Sequence, residues 1–179
     1  MKKLLFFLLI TTSLYSEAKI YVGSAVGYLS ETFDATDESY DANMLRIKAG
    51  YGDRAAYAIE FSVDVVEKDK NIFSQNDKER YGLNVELVKA FDLGIYVNPF
   101  FKAGFGAGFI ETSSTTQSTI HYGSFNLGAG MFIPLGEHFD IELGYSYKGV
   151  SYEREENTSQ DEGRSSNVNI GYIGFNARF

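Results

Sequence analysis

Along most of this chain the apolar side chains recur at every second residue, the spacing of a strand with one greasy face. In the clearest stretch Ala55, Tyr57, Ile59, Phe61, Val63 and Val65 alternate with Ala56, Ala58, Glu60, Ser62 and Asp64. Successive side chains of a strand point to opposite faces, so one face here is wholly apolar and the other small or charged. Phe139, Ile141, Leu143, Tyr145 and Tyr147 alternate in the same way with Asp140, Glu142, Gly144, Ser146 and Lys148. Leu45 to Tyr51 and Tyr81 to Leu87 repeat it, and weaker versions run through 20–30, 101–109, 125–133 and 173–179. Eight strands are therefore expected. Pro99 has no N–H for a ladder and marks the start of the fifth strand or a bulge. Val168, Ile170 and Tyr172 alternate out of phase with Ile173, Phe175, Ala177 and Phe179, which points to a bulge or an open register in the eighth.

The connections alternate in length. Short ones carry turn residues at Gly52-Asp53-Arg54, Asp92-Leu93-Gly94 and Pro134-Leu135-Gly136-Glu137. Long polar ones fall near 31–42, 67–79, 111–119 and 153–166. This spacing predicts an all-β fold, a closed antiparallel up-and-down barrel of about eight strands with both ends on the short-turn side. At the start, Lys2 and Lys3 precede the apolar Leu4–Ile10, and Ser16-Glu17-Ala18 offers a small-x-small cleavage site. That order is expected of a signal peptide over 1–18, leaving one barrel domain over 19–179. The apolar run is far shorter than the ~20 residues of a spanning helix, and nothing later in the chain supplies one. A membrane location would then require the barrel itself, whose closed ladder satisfies every backbone group in lipid.

Alternation alone fits a soluble barrel as well as a membrane one, because the two exchange inside and outside. The charged face decides. It is rich in Gly and Ala, which suits a narrow lumen better than a wetted exterior, and eight strands enclose just enough room for side chains. This reading turns Arg46, Lys48, Lys102, Lys148 and Arg178 inward together with Glu60, Asp64, Glu86, Asp140 and Glu142. Five charges of each sign meet the requirement that buried charge be paired. If Tyr51 faces Ala55 across the first short turn, Arg46 lies opposite Glu60, and an internal salt bridge is expected there. Residues 19–179 hold 14 basic and 23 acidic side chains, a net −9 that falls wholly in the four long connections taken as 30–42, 66–80, 111–119 and 152–166. Tyr51, Tyr57, Phe91 and Phe139 near one rim, and Tyr28, Tyr81, Phe109 and Tyr147 near the other, suit two interfacial girdles.

The stretch Lys102-Ala103-Gly104-Phe105-Gly106-Ala107-Gly108-Phe109 and the closing Gly171-Tyr172-Ile173-Gly174-Phe175-Asn176-Ala177-Arg178-Phe179 give the chain a family likeness. It resembles the small eight-stranded outer-membrane barrels of the OmpA-transmembrane-domain, OmpX and NspA type. The resemblance implies an outer-membrane location among lipid and lipopolysaccharide, with Phe179 as the signal read by the outer-membrane assembly machinery. It also implies a non-catalytic structural or surface-interaction role, with adhesion or ligand binding through the loops. The alternatives are a lipid A-modifying enzyme and a narrow porin-like channel. No periplasmic domain beyond the barrel is expected.

Candidate chemistry is sparse. With no Cys there is no disulfide, thiolate nucleophile or acylation site, and the acidic balance disfavours nucleic acid. Lipid A deacylases of this architecture resemble serine hydrolases with a His-x-Ser pair, whereas His121 and Ser124 are three apart and fall on opposite faces. His138 and Asp140 share a face near a short turn, without a nucleophile beside them. Glu31, Asp34, Asp37, Glu38 and Asp41 could attract a divalent cation but lack the ligand spacing of an EF-hand. The run 112–116 reads as a flexible polar loop, and no helix follows the glycines to hold phosphate. No catalytic residue, cofactor or metal is assigned.

Overall fold

The period-two segments form eight antiparallel strands in the computed structural model, which describes residues 18–34, 39–67, 79–111, 119–153 and 165–179. They are β1 (Lys19–Phe33), β2 (Ser39–Gly52), β3 (Tyr57–Val66), β4 (Arg80–Ala90), β5 (Asn98–Glu111), β6 (Thr119–Pro134), β7 (Phe139–Tyr152) and β8 (Ser165–Arg178). Each pairs with its sequence neighbours, and β1 also pairs with β8, so the sheet closes as an up-and-down barrel with no free edge. Burial alternates strictly along β2 and β3. Its sense is the reverse of a water-soluble protein: Ile47 is 60% and Phe105 70% exposed, while Arg46 and Glu60 are buried.

The first short turn sets a register different from the expected one. Gly52 pairs with Ala58, leaving five residues between the last ladder partners. The Asp53 N–H donates to the Tyr57 carbonyl (2.9 Å), and the Ala55 N–H donates to Asp53 Oδ1 (2.6 Å). Asp53 thus closes a wider loop, β3 begins at Tyr57 rather than Ala55, and Tyr51 faces Ile59. Gly52 takes φ +149° with the Tyr57–Ala58 backbone packed against its α-carbon, a place for glycine alone. Arg46 accordingly lies opposite Asp64, not Glu60.

Two other expectations change. β8 carries no bulge: it pairs without interruption with β1 and β7. Val168, Ile170 and Tyr172 lie on the same inward face as Asn176 and Arg178, so the chemistry of the lumen changes along the strand while its phase does not. The strands also run further past the long-connection rim than the polar composition suggested, placing Glu31, Tyr40 and Arg80 inside the barrel. Pro99 is the second residue of β5, and its carbonyl accepts the Phe91 N–H at 2.9 Å.

The lumen is layered. At the short-turn end Tyr21, Ala58, Val88, Ala90, Phe100 and Phe132 form an apolar plug, with the two Phe rings 4.5 Å apart. Toward the long-connection end lies a second apolar cluster that includes Leu29, Met44, Ile110, Ile120, Val150 and Val168. Charged side chains fill the space between and reach into both clusters, with Arg178 over the Tyr21 and Phe132 rings and Glu31 bonded to Tyr152. Inward glycines make room for the rings that cross it: the Tyr21 ring occupies the space a Cβ on Gly50 would need, and Tyr172 does the same at Gly144. The small residues that marked the inward face in the sequence are therefore the sockets of its aromatics.

Gly144→Leu is expected to push Tyr172 aside and destabilise the barrel by about 1–3 kcal/mol, the usual cost of overpacking. Urea unfolding in lipid vesicles should show a lower midpoint for the variant, and adding Tyr172→Ala should recover part of the loss.

Candidate functional site

Among the described residues twelve charged side chains are buried in the lumen, six of each sign. Ten are those expected from the alternation: Arg46, Lys48, Lys102, Lys148 and Arg178 with Glu60, Asp64, Glu86, Asp140 and Glu142. Arg80 and Glu31 complete the set. Sequence reasoning had left both in loops, although each keeps the parity of its strand's inward residues. Extending the period of two past the first polar residue would have found them.

Lys48 of β2, Glu60 of β3, Lys102 of β5 and Glu142 of β7 form a closed ring at the centre. Lys102 Nζ lies 2.7 Å from Glu60 and 2.9 Å from Glu142. Lys48 Nζ lies 3.1 Å from Glu60 and also bonds Glu142. Each ammonium thus bridges both carboxylates. Tyr21 donates to Glu60 (2.8 Å), and Tyr172 and Asn176 donate to Glu142 (2.9 and 3.1 Å). The backbone ladder ties only neighbouring strands, whereas this ring spans the barrel from β2 to β7.

Above the ring, the Arg46 guanidinium forks onto Asp64 at 2.6 and 2.9 Å, and Lys148 adds a third contact at 2.7 Å. Asn84 joins this group, donating to Asp64 (3.1 Å) and accepting from Lys148 (2.8 Å) and Asn126 (3.0 Å). Nearer the long connections Arg80 pairs with Glu31 at 2.7 Å, and Tyr152 and Ser166 donate to the same carboxylate. At the short-turn end Asp140 binds Arg178 and, at 3.0 Å, Arg54. Glu86 leaves one oxygen unpartnered and makes no salt bridge among the described residues, although its charge acts on Arg46, Lys102 and Lys148. Arg46 and Glu60, expected to meet, belong to different groups.

The histidines do not form a reactive pair with their neighbours. His121 points outward beside Phe109, with ring centroids 6.5 Å apart, while Ser124 faces inward and bonds the Asn126 side chain at 2.9 Å. The shared face expected of His138 and Asp140 is not found. His138 is exposed in the turn before β7, and Asp140 is buried and committed to its two arginines. The acidic segment is divided as well. Glu31 lies in the lumen, and Asp34 accepts from Ser165 (2.6 Å) and Asn167 (2.7 Å). Asp37, Glu38, the run 112–116 and the segment 1–17 lie outside the described residues.

Removing one member of a buried ion network leaves its partners uncompensated, at a cost of about 3–5 kcal/mol. Glu142→Gln should therefore lower the urea midpoint sharply. Glu142→Gln combined with Lys102→Met, which leaves the Lys48–Glu60 pair intact, should cost less than the single change. A double variant less stable than the single one would show that the ring's charges are not compensating one another.

No curated protein matches the sequence at a significant level. Solved structures share its fold at low identity. Neisserial surface protein A, NspA, superposes with a TM-score of 0.69 at 15% identity, covering 91% of this chain and 99% of its own. Ail, the attachment invasion locus protein of Yersinia pestis, solved with the heparin analogue sucrose octasulfate, gives 0.60 at 17% identity over 91% and 99%. OprG of Pseudomonas aeruginosa gives 0.56 at 10% identity over 92% and 97%. The family model described as outer membrane protein beta-barrel domain matches residues 4–173. That span takes in nearly all of the barrel whose apolar exterior and charged interior are described above, and the chain belongs to this family of the outer membrane.

Proposed function

We propose that this barrel is a non-catalytic scaffold that holds its four long connections at the cell surface for interaction with other molecules. The observation that carries the reading is the filled lumen. Ion networks, aromatic rings and two apolar clusters occupy its interior among the described residues. Selectivity of the porin kind needs a water-filled bore, which eight strands do not readily provide. The two histidines reach no nucleophile among the described residues, which argues against a lipid A hydrolase. Variation and recognition are then left to the loops, as on other rigid scaffolds.

The structure with sucrose octasulfate concerns a sulfated, polyanionic ligand on Ail. The connections here carry the opposite preference, since the segment 30–42, apart from Glu31 in the lumen, holds four carboxylates and no basic residue, and 152–166 has a net −3. A partner with a basic or neutral surface suits them better than a polyanion. In this reading a signal peptide over 1–18 directs export, lipopolysaccharide surrounds the upper barrel, and the assembly machinery reads the strand ending in Phe179.

Cells displaying the protein should adhere to a partner surface through the loops. Replacing 34–38, 68–78, 112–118 and 154–164 with short Gly-Ser turns should abolish adhesion and preserve the heat-dependent gel shift of a folded barrel. Adhesion that survives loss of all four would overturn the proposal, as would conductance steps from the intact protein in planar bilayers.

A further inference from the structure

The outward face of the barrel holds one basic strand residue where every other is turned inward or sits at the rim. Arg46, Lys48, Arg80, Lys102, Lys148 and Arg178 are buried in the lumen, whereas Lys89 of β4 has the outward parity of Leu83, Val85 and Leu87. Its ammonium lies 3.9 Å from the centre of the Tyr57 ring and 5.4 Å from that of Phe91, and it has no carboxylate partner among the described residues. Asp53, in the neighbouring turn, accepts the Ala55 N–H and acts on the ammonium by its charge without forming a salt bridge to it. Lys89 is the second residue from the periplasmic end of β4, at the level where hydrocarbon gives way to headgroups.

An apolar groove of about 500 Å³ starts at Lys89 and crosses four strands. The ladder fixes its course: Lys89 lies opposite Phe101, Phe101 opposite Ala129, and Ala129 opposite Tyr145. These are the second, fourth, sixth and seventh residues from the periplasmic ends of β4 to β7. The groove therefore climbs from the headgroup level into the apolar band, over three strand spacings or about 14 Å. Ala129 and Ala103 make its floor low, and Leu87, Phe101, Leu127 and Tyr147 form its walls.

We propose that Lys89 and this groove bind one anionic phospholipid of the periplasmic leaflet, its phosphate on the ammonium and one acyl chain along the groove. Charge complementarity selects the occupant: a cation that makes no salt bridge among the described residues stands at the foot of an apolar trough that rises into the membrane. The Tyr57 and Phe91 rings flank the ammonium and shield one side of a phosphate contact from water, which strengthens it. The site needs only the outer-membrane location, so it stands or falls independently of the surface role.

Native mass spectrometry of the delipidated full chain in mild detergent, titrated with dioleoylphosphatidylglycerol, tests the site. One saturable adduct is expected, with weaker uptake of zwitterionic dioleoylphosphatidylcholine. Lys89→Gln should weaken the adduct about tenfold, the worth of a charge-assisted hydrogen bond, and Lys89→Arg should retain it. Ala129→Phe should fill the groove and weaken binding. Ala103→Leu serves the same purpose if the first variant loses its heat-dependent gel shift. Several equivalent adducts, equal uptake of both lipids, or wild-type titration by Lys89→Gln and the groove variants would each overturn the proposal and leave Lys89 as an interfacial anchor.

Discussion

Lys48, Glu60, Lys102 and Glu142 hold one another in the middle of a cylinder lined on all sides by backbone. Any one of these charges alone in that space would be prohibitive, and the set is tolerated because each ammonium meets two carboxylates and each carboxylate two ammoniums. The ring is contributed by β2, β3, β5 and β7, so it forms only when those strands stand at the correct heights. A shift of one residue in any strand would turn its charge into lipid and an apolar side chain into the lumen. The hydrophobic exterior accepts many arrangements. The ring accepts one.

Sequence and structure agree where a single physical constraint acts. Strand number, the short-long alternation of connections and the inward placement of Arg46 or Glu142 all follow from the parity of apolar residues, which is local and strict. The pairing of those charges does not. Arg46 was matched to Glu60 on the assumption of a tight turn, but the side chain of Asp53 supports a wider one and moves β3 along by four residues. Parity survives an even shift, so both residues stay inside while their partners change. Turn chemistry at one position thus decides which ions meet.

Val168, Ile170 and Tyr172 were hard to place for a different reason. A charged lumen makes inward apolar residues look out of phase, yet the interior also holds apolar clusters toward both ends. Glu31 and Arg80 are the converse case, polar residues at strand ends that look like loop and lie buried. In both cases composition was a weaker guide than parity. Outward ornament such as Lys89 escapes either reading, since one basic residue in an apolar face carries no period and gains meaning only beside Tyr57 and the groove.

Arg54 sits in the turn between β2 and β3, yet its guanidinium reaches the Gly136 carbonyl at 2.8 Å and the carboxylate of Asp140 on the far hairpin. The two halves of this contact come from different hairpins. The clasp can close only after the sheet has curled far enough to bring its second and seventh strands across the mouth. It is a latch that records completion, fastened at the end that faces the cell's interior and out of reach of whatever the opposite rim meets outside.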